Sequence, residues 1–228
     1  MPLPDKMKYL DLTSPTPAAN LALDEELLDA AERGYGGEVL RVWESPTPFV
    51  VVGYGNKIET EVNVAVCAQR GIPVLRRCSG GGTVVQGPGC LSYALILDIA
   101  TNPELRNVTA ANRFIMERNR AAIQSVVSSP QSLVEVHGHT DLTLLSPNSQ
   151  LPAPLKFSGN AQRRRRRFIL FHGTFLLHFD LALISKLLPP PSRQPCYRES
   201  RIHADFLTNL ALPADVIKAV LKKIWAAA

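Results

Sequence analysis

Leu-Arg-Arg-Cys-Ser-Gly-Gly-Gly-Thr-Val-Val-Gln-Gly-Pro-Gly-Cys-Leu-Ser-Tyr, residues 75–93, is the stretch around which the rest of the sequence is organised. An apolar strand carries two arginines into three consecutive glycines, and a second glycine-rich turn leads into another apolar strand. Adjacent glycines are costly to order, because glycine loses more backbone freedom on folding than any other residue. The stretch therefore predicts a backbone that approaches a ligand closely, with a plain glycine-rich hairpin connection as the alternative.

The side chains beside these glycines indicate what the ligand is. Backbone N–H groups that point at a common centre bind anions, and arginine and hydroxyl groups strengthen such a cradle. We therefore predict a site for a carboxylate or a phosphate, made by the glycine N–H groups together with Arg76, Arg77, Ser79 and Thr83. The site differs from the P-loop and from the dinucleotide fingerprint, because no Gly-Lys-Ser/Thr follows and the glycine spacing is different.

Length and composition indicate a single domain. The 228 residues suit one domain, residues 1–228, with a sizeable core, and 46% apolar with 20% charged residues is ordinary for a soluble globular protein. No apolar run approaches the roughly 18 residues of a membrane span. Residues 1–6 are not followed by the apolar stretch of a signal peptide. We therefore expect a cytoplasmic protein with no membrane partner.

The cysteines give no sign of a metal or of a disulfide framework. Cys67, Cys78, Cys90 and Cys196 contain no Cys-x-x-Cys pair, and the histidines have no spacing that demands a metal. We therefore predict reduced thiols and no metal ligands from the protein.

Hydrophobic periodicity and turn residues predict a mixture of helices and strands. The expected helices cover residues 18–33, 61–70, 109–127, 180–188 and 213–225. The expected strands cover residues 38–45, 48–54, 72–76, 91–98, 133–136, 141–145, 155–162 and 168–177. The first two strands are expected to form a hairpin, and the almost continuously apolar residues 91–98 to form a strand buried on both faces.

A second motif sets a lysine among small residues. Lys-Phe-Ser-Gly-Asn-Ala-Gln, residues 156–162, lies on one expected strand, and His-Gly-Thr, residues 172–174, lies where the paired strand returns beside it. Small neighbours leave room for a ligand at the ammonium group, where a lysine can neutralise a phosphate or polarise an acyl carbonyl. The alternative is a lysine whose stem packs along the strand while its ammonium group reaches water.

Together, Arg-Arg-Cys-Ser-Gly-Gly-Gly-Thr, Lys-Phe-Ser-Gly-Asn-Ala-Gln and His-Gly-Thr resemble the lipoate-protein ligase family, within the wider group of biotin and lipoate ligases. Further matches at residues 20–25, 40–43, 138–142 and 208–210 extend the resemblance over most of residues 8–210. The resemblance implies an α+β fold of mixed β-sheets flanked by helices. It also implies a two-step reaction, in which ATP and lipoate or octanoate give an acyl-adenylate, and a lysine of an acceptor protein domain then takes the acyl group.

The resemblance assigns roles to residues of both motifs. Lys156 would be the catalytic residue at the acyl-phosphate junction, and Asp141 would lie near the nucleotide. The substrate and adenylate pocket would be lined by Arg76, Ser79, Gly80, Gly81, Gly82, Thr83, Gly159, Ala161, His172, Gly173 and Thr174. These roles agree with the chemistry, because a fixed cation and backbone donors stabilise the charge that adenylation builds on phosphoryl oxygens. Magnesium is implied with ATP and leaves little trace in a sequence, because it keeps water and phosphate ligands.

The sequence departs from the family pattern at three places. Many ligases have His-Asp where this chain has Gln86-Gly87, and an expected asparagine is Cys90. The chain also stops soon after residues 208–210, whereas many ligases add a small C-terminal domain or use a separate accessory chain for adenylation. The expected partners are therefore lipoate or octanoate and an acceptor protein domain. Whether adenylation also needs a separate accessory chain is left open by the sequence.

A cysteine-dependent octanoyl or lipoyl transferase on the same fold is the nearest alternative. Related transferases place their nucleophile a few residues before the His-Gly motif or in the segment before the lysine. In this chain those segments are residues 168–171 and 137–141, and neither contains a thiol. Cys78 and Cys90 flank the glycine loop, but small buried cysteines are the commoner case. We therefore expect that no cysteine is a nucleophile.

A non-catalytic module that binds an acyl carrier or nucleic acid is the third alternative, suggested by five consecutive arginines at 163–167. These arginines match the whole net charge of +5. The run is short and has no interleaved aromatic residues, which disfavours nucleic acid as a partner. It could be a solvated turn, or it could dock an acidic acceptor domain, because it connects the strands of Lys156 and His172.

Overall fold

The computed structural model describes residues 7–127, 129, 131–145, 153–191 and 193–226. Its strands are β1 (Lys8–Asp11), β2 (Val39–Glu44), β3 (Phe49–Val52), β4 (Val74–Arg76), β5 (Val84–Gln86), β6 (Cys90–Asp98), β7 (Leu133–His137), β8 (Asp141–Leu145), β9 (Leu155–Arg164) and β10 (Phe168–Leu176). Its helices are α1 (Pro17–Glu32), α2 (Ile58–Glu61), α3 (Val64–Gln69), α4 (Val108–Gln124), α5 (Leu181–Leu187), α6 (His203–Phe206) and α7 (Ala214–Trp225). No helix within the described ranges is both long enough and apolar enough to cross a membrane.

The strands form two mixed sheets. The large sheet has the order β1-β2-β6-β10-β9-β8-β7, and the small sheet has the order β4-β3-β5. Each sheet combines a parallel pair, β1 with β2 or β3 with β4, with antiparallel neighbours. Strand β6 is hydrogen-bonded on both sides and buried along its whole length, as its apolar sequence predicts. The expected α+β class, with mixed sheets flanked by helices, is confirmed.

The two faces of the large sheet have different coverings. On one face, α4 and α7 pack against the apolar side chains of the strands and form the main core. On the second face, Leu28 of α1 packs near Ala94 and Leu170, and the small sheet brings Phe49 against Trp43. Helices α3 and α5 cover the other side of the small sheet. The space between the two sheets, on this second face, is where the glycine loop meets Lys156.

A buried polar network fixes α1 to the large sheet. Arg41 of β2 is fully buried and donates to Oδ1 of Asp24 at 2.6 Å and to Oδ1 of Asn20 at 2.6 Å. Burial raises the pKa of Asp24 to about 6, although Arg41 acts in the opposite direction. Trp43 donates from Nε1 to Oδ2 of Asp24 at 3.3 Å. The network therefore also sets the orientation of the Trp43 ring.

The arginine run is tied into the fold. Its first two members belong to β9, so the turn to β10 is shorter than the sequence predicts. Arg165 pairs with Asp29 of α1 at 2.8 Å, and Arg167 pairs with Asp98 at the end of β6 at 2.8 Å. Carboxylates of the chain itself thus neutralise part of the run. An acidic partner would meet fewer unpaired charges here than five consecutive arginines suggest.

The predicted hairpin of residues 38–45 and 48–54, which correspond to β2 and β3, is wrong. Strand β2 lies in the large sheet and β3 in the small one, and residues 45–48 carry the chain between them. Two of these residues are prolines, which have no N–H to continue a ladder. The predicted helix at 61–70 is divided into α2 and α3 at Val62, whose backbone is extended. Strand β1, which the sequence pattern did not predict, pairs in parallel with β2.

Candidate active site

A β-bulge directs Lys156 into the space between the sheets. Strands β8 and β9 pair regularly as far as Ser158, and the next pair is Lys156 with Thr143, so Phe157 is skipped. Phe157 is fully buried in the main core, whereas Lys156 lies on the opposite face. A shift of one residue exchanges the two faces of a strand. In a regular strand of the same residues, Lys156 would therefore point into the core.

A row of cross-strand partners crosses the second face of the large sheet, formed by Trp43, Ser92, Thr174, Gly159 and Asp141. Paired residues share a face and adjacent strands lie about 4.8 Å apart, so this row of five spans about 19 Å. All five line one cavity of about 990 Å³. Trp43 and Ser92 are 2% and 3% exposed and mark its inner end. Asp141, beside a largely exposed loop, marks its outer end.

The glycine loop, residues 77–83, connects β4 to β5 beside this cavity. Gly81 has a φ of +88°, which favours glycine, and a Cβ there would lie 3.0 Å from Nη2 of Arg77. In the part of the chain that the structure describes, no glycine N–H from 80 to 82 donates to a protein acceptor. Gly81 and Gly82 line the cavity, so their N–H groups are free to bind an anion there.

Arg77 brings the positive charge of the loop to the cavity. Its Nη2 donates to the carbonyl oxygens of Gly80 and Gly82 at 2.7 Å each, and its Nε donates to Oγ of Ser79 at 3.1 Å. Loss of solvent lowers the pKa of Arg77 to about 10, and no described carboxylate pairs with the guanidinium. Arg77 is half-buried, and a partly desolvated cation without a carboxylate partner favours the binding of an anion beside it.

Arg76, which the sequence assigned to the pocket, has a different position. Its Nη1 donates to the carbonyl oxygens of Gly53, Tyr54 and Asn56 at distances of 2.8 to 2.9 Å, so it holds the loop after β3. Arg76 is not part of the described cavity lining. Successive strand residues point to opposite sides, so two neighbouring arginines cannot both face the cavity. Arg77, and not Arg76, therefore lines the cavity beside the glycine loop.

Lys156 and Asp141 form an ion pair at the outer end, with 2.8 Å between Nζ and Oδ1. Tyr197 donates its hydroxyl to Oδ2 of the same carboxylate at 2.7 Å. Burial and, secondly, the charge of Asp141 raise the pKa of Tyr197, so its hydroxyl remains a donor. A Cβ on Gly159 would lie 2.9 Å from Nζ, so this glycine leaves space for the ammonium group. Sequence reasoning missed Tyr197, because it lies in a distant loop without a motif.

His172 of β10 is joined to the glycine loop by Ser79, with 2.6 Å between Ser79 Oγ and His172 Nε2. Arg77 already donates to this hydroxyl oxygen, so the hydroxyl proton is free to be donated to His172. Loss of solvent and, secondly, the charge of Arg77 lower the pKa of His172 to about 3. We therefore expect a neutral His172 that carries its own proton on Nδ1.

We expect His172 to remain neutral from about pH 8 to about pH 4, although an ordinary histidine takes up a proton near pH 6.5. Below about pH 6.5 the unfolded chain then binds a proton here that the folded chain does not bind. The free energy of unfolding should therefore decrease as the pH falls, by at most about 1.4 kcal/mol per pH unit from this residue. NMR titration of the imidazole measures the pKa of His172, and the His172→Gln variant identifies the resonances of this ring. A ring that titrates near pH 6 contradicts this assignment.

The predicted site residues fall into two groups. The cavity lining includes Gly81, Gly82, Thr83, Asp141, Lys156, Gly159, Ala161, His172, Gly173 and Thr174. The residues outside the described lining are Arg76, Ser79 and Gly80, of which Ser79 contacts the cavity through His172. Sequence reasoning did not assign Trp43, Gln86 or Ser92 to the site, although all three line the cavity.

The thiols differ in their surroundings. Burial raises the pKa of Cys78 to about 11 and that of Cys90 to about 12, and it also raises the pKa of Cys67. A thiol that stays protonated is a poor nucleophile. Cys196 is exposed and belongs to the cavity lining, in the loop of Tyr197. It is therefore the thiol best placed to meet a ligand.

Comparison with known proteins relates the chain to one family. The family model for the lipoyl protein ligase A/B catalytic domain matches residues 16–224. A putative lipoate-protein ligase A from Aeropyrum pernix is 29% identical over 182 residues, which cover 79% of this chain and 61% of that protein. Octanoyltransferase LipM from Geobacillus kaustophilus is 28% identical over 210 residues, which cover 87% of this chain and 74% of that protein. The similar proteins thus carry both ligase and transferase names.

Solved structures have the same fold. A lipoate-protein ligase A bound with ATP superposes with a TM-score of 0.73 at 22% identity, covering 96% of this chain and 83% of that one. A bipartite lipoate protein ligase from Thermoplasma acidophilum, described with its E2 lipoyl domain, gives 0.73 at 19% identity, covering 96% and 81% of the two chains. A putative ligase from the same organism with bound lipoic acid gives 0.71 at 20% identity, covering 96% and 83%.

Proposed function

This chain belongs to the family of lipoyl protein ligase A/B catalytic domains, and from that premise we propose that it is a lipoate-protein ligase driven by ATP. In the first step, the carboxylate of lipoate or octanoate attacks the α-phosphorus of ATP, and pyrophosphate leaves. In the second step, the amine of a lysine on an acceptor domain attacks the acyl carbon. The bond from that carbon to the AMP oxygen breaks, and the amine gives its proton to solvent.

The neighbour of Lys156 is the observation that favours a ligase over a transferase. A transferase needs a thiolate beside the acyl carbonyl. In this chain a carboxylate, Asp141, stands 2.8 Å from Nζ of Lys156. The ion pair with Asp141 fixes the position of the Lys156 ammonium group. A cation in a fixed position stabilises the charge that develops on phosphoryl oxygens.

The two ends of the cavity suit the two parts of an acyl-adenylate. The inner end has apolar walls from Trp43, Val51 and Val84, which suit an acyl chain. The outer end has Lys156 and an exposed loop, which suit a charged nucleotide. Between them, the N–H groups of the glycine loop and the guanidinium of Arg77 would bind the substrate carboxylate and then the α-phosphate oxygens.

Magnesium, which the family implies with ATP, is compatible with the outer end. The described residues contain no cluster of three or more His, Cys, Asp or Glu side chains that could hold a metal by themselves. Magnesium bound with ATP takes most of its ligands from phosphate and water, so such a cluster is not needed. Asp141 would be the cavity carboxylate to contact it, because Asp141 lies at the outer end beside Lys156, whereas Asp24 is buried against Arg41. The metal would neutralise phosphate charge.

A thioester transferase that uses Cys196 is the second candidate, because this thiol is exposed and lines the cavity. In that reaction the Cys196 thiolate attacks the acyl carbon of a donor thioester, and the donor thiol leaves. The acceptor lysine then attacks the new thioester and releases Cys196. No nucleotide is consumed.

Mass spectrometry of an acceptor domain separates the two candidates. The protein is incubated with the domain and lipoate, with or without ATP and magnesium. In parallel it is incubated with the domain and chemically prepared lipoyl-adenylate, or with the domain and an octanoyl thioester alone. A ligase is expected to modify one lysine with lipoate and ATP, or with the adenylate alone where adenylation needs an accessory chain. Modification from an octanoyl thioester without nucleotide, and none from the adenylate, would overturn the proposal.

Replacement of all four cysteines by serine or alanine should leave transfer from supplied lipoyl-adenylate within about twofold of the parent. The reason is that the proposed chemistry at Lys156 uses no thiolate, and that burial raises the pKa of Cys67, Cys78 and Cys90, so these three thiols contribute little nucleophile. Cys90 is buried, so its replacement should lower stability through lost packing. The Cys196→Ser variant alone controls for that loss. An acyl thioester trapped on Cys196 would instead establish the transferase reaction.

A further inference from the structure

A chain of hydrogen bonds crosses the main core and ends at the residue before Asp141. Nδ2 of Asn119 donates to the hydroxyl oxygen of Tyr93 at 2.8 Å, and this hydroxyl donates to Oδ1 of Asn160 at 2.6 Å. Nδ2 of Asn160 donates in turn to the carbonyl oxygen of Thr140 at 2.8 Å. Asn119 and Tyr93 are 0% and 1% exposed. Hydrogen bonds in such a low-dielectric core are strong, so this chain restrains the backbone of Thr140.

Gly173 of the His-Gly-Thr motif leaves the space for this chain. Its cross-strand partners are Tyr93 of β6 on one side and Asn160 of β9 on the other, so the three residues form one row. A Cβ on Gly173 would overlap the side-chain amide of Asn160. The φ of Gly173 is not left-handed, so glycine is needed here for space and not for its backbone conformation. The motif glycine therefore lets the Tyr93 hydroxyl reach Asn160 across the strand between them.

Thr140 and Asn160 join β8 to β9 beside the ion pair. The last register pair of these strands is Asp141 with Gly159. One residue beyond it, Oγ1 of Thr140 donates to the carbonyl oxygen of Asn160 at 2.7 Å, and the Asn160 amide donates to the carbonyl oxygen of Thr140. We call these two hydrogen bonds the clamp. The clamp ties the residue before Asp141 to the strand that carries Lys156.

Resting on the proposed function, we propose that Asn160, anchored by Tyr93, is a positioning residue that holds Asp141 against Lys156. The clamp fixes the backbone at Asp141, and Tyr197 fixes Oδ2 of its carboxylate, so that Oδ1 stays 2.8 Å from Nζ of Lys156. Without the clamp the carboxylate can move and take the ammonium group with it. A misplacement of about 1 Å at a reacting centre can cost about 100-fold in rate.

Thr140→Val tests the clamp from its partly exposed side, because it removes the hydroxyl and keeps the shape of the side chain. The kcat of acyl transfer from supplied lipoyl-adenylate should fall at least about tenfold, with the KM for the acceptor domain changed by less than about twofold. Thr140→Ser keeps the hydroxyl and should restore kcat to within about threefold of the parent. A loss that Thr140→Ser does not rescue, or one confined to KM, would overturn the positioning role.

Tyr93→Phe tests the anchor of the clamp within the core. It removes only the hydroxyl and keeps the ring that stacks on Phe175 at a centroid distance of 5.3 Å. A similar loss of kcat is expected, although Tyr93 donates to Asn160 and not to Lys156 or Asp141. Changes that act through one shared group are not additive. The Thr140→Val/Tyr93→Phe double variant should therefore lose less than the product of the two single losses, and a full product would contradict action through Asn160.

Thr101→Val is the matched control. Oγ1 of Thr101 also donates to a backbone carbonyl, that of Asp98 at 2.8 Å, but the described cavity lining does not include Thr101. Thermal stability should fall about as much as in Thr140→Val, because the same kind of hydrogen bond is lost, while kcat should stay at the parental value. An equal loss of kcat in Thr101→Val would show that general destabilisation causes the effect.

Hydrogen exchange of residues 137–142, followed by mass spectrometry, measures the clamp without any reaction. Exchange there should be at least about tenfold faster in Thr140→Val and Tyr93→Phe than in the parent or in Thr101→Val. Unchanged exchange in both variants would overturn the proposal, whichever reaction the protein catalyses. A parent that uses an octanoyl thioester and not lipoyl-adenylate contradicts the proposed function instead, and the variants are then compared with that donor.

Discussion

The Lys156→Ala variant should lose acyl transfer by about 100- to 1000-fold while keeping its fold, because removing one fixed group aimed at developing charge typically costs that much. Nζ of Lys156 lies at the outer end of the cavity, 2.8 Å from Oδ1 of Asp141. Its side chain is 24% exposed and contributes nothing to the main core. Pyrophosphate release and acceptor modification, measured separately, report the loss in each half-reaction.

A lysine outside the cavity provides the control for this variant. Lys186 of α5 is exposed and is not part of the described cavity lining, so Lys186→Ala should leave both half-reactions unchanged. Circular dichroism and thermal unfolding establish whether Lys156→Ala is folded, as we expect because Tyr197 can still donate to Asp141. Near-normal transfer by a folded Lys156→Ala protein would remove Lys156 from the proposed mechanism.

The Gly82→Val variant should weaken binding of lipoyl-adenylate by at least about 100-fold, which is about 2.8 kcal/mol. A Cβ on Gly82 meets no protein atom within 4 Å, so the side chain would occupy the cavity itself. It would cover the free N–H groups of the loop, and each charge-assisted hydrogen bond lost costs about 1.5 to 3 kcal/mol. The melting temperature should change by at most about 4 °C, because nothing in the fold is displaced.

Gly80→Val is the matched control for Gly82→Val. A Cβ on Gly80 also meets no protein atom within 4 Å, and its φ is not left-handed, but Gly80 lies outside the described cavity lining. The Gly80→Val variant should therefore bind the adenylate nearly as well as the parent. Gly81 is unsuitable for this comparison, because its φ of +88° would strain any other residue. Equal loss of affinity in the Gly80 and Gly82 variants would show that the loop is structural.

Local sequence patterns were sufficient for the class of the fold and for the part of the cavity wall that the glycine loop and the strands of Lys156 and His172 form. Consecutive glycines, and a lysine among small residues, indicate a ligand-binding site by their composition alone. They can therefore be recognised without knowledge of the tertiary structure. The choice between Arg76 and Arg77 could not be made in this way. Both arginines lie next to the glycines, and only the packing of β4 against β3 decides which one faces the cavity.

Contacts between distant parts of the chain could not be predicted from the sequence for the same reason. Residues 45–48 were expected to close a hairpin, because nothing local shows that the next strand joins another sheet. The arginine run suggested a free patch, because its partners Asp29 and Asp98 are far away in sequence. Tyr197 reaches Asp141 from a loop that has no recognisable pattern. Each of these depends on tertiary packing.

The bulge at Phe157 explains why the motif residues Lys156 and Gly159 are three positions apart. An interval of three residues places its two ends on opposite faces of a regular strand, yet Lys156 and Gly159 lie side by side. The extra residue lets two consecutive side chains, Ser158 and Phe157, be buried while the lysine still faces the cavity. A Lys-x-Gly spacing would present the same ammonium group without a bulge, but it would lose the ring that stacks on Phe175. The bulge at Phe157 thus lets two adjacent residues of one strand contribute a ring to the core and a lysine to the cavity.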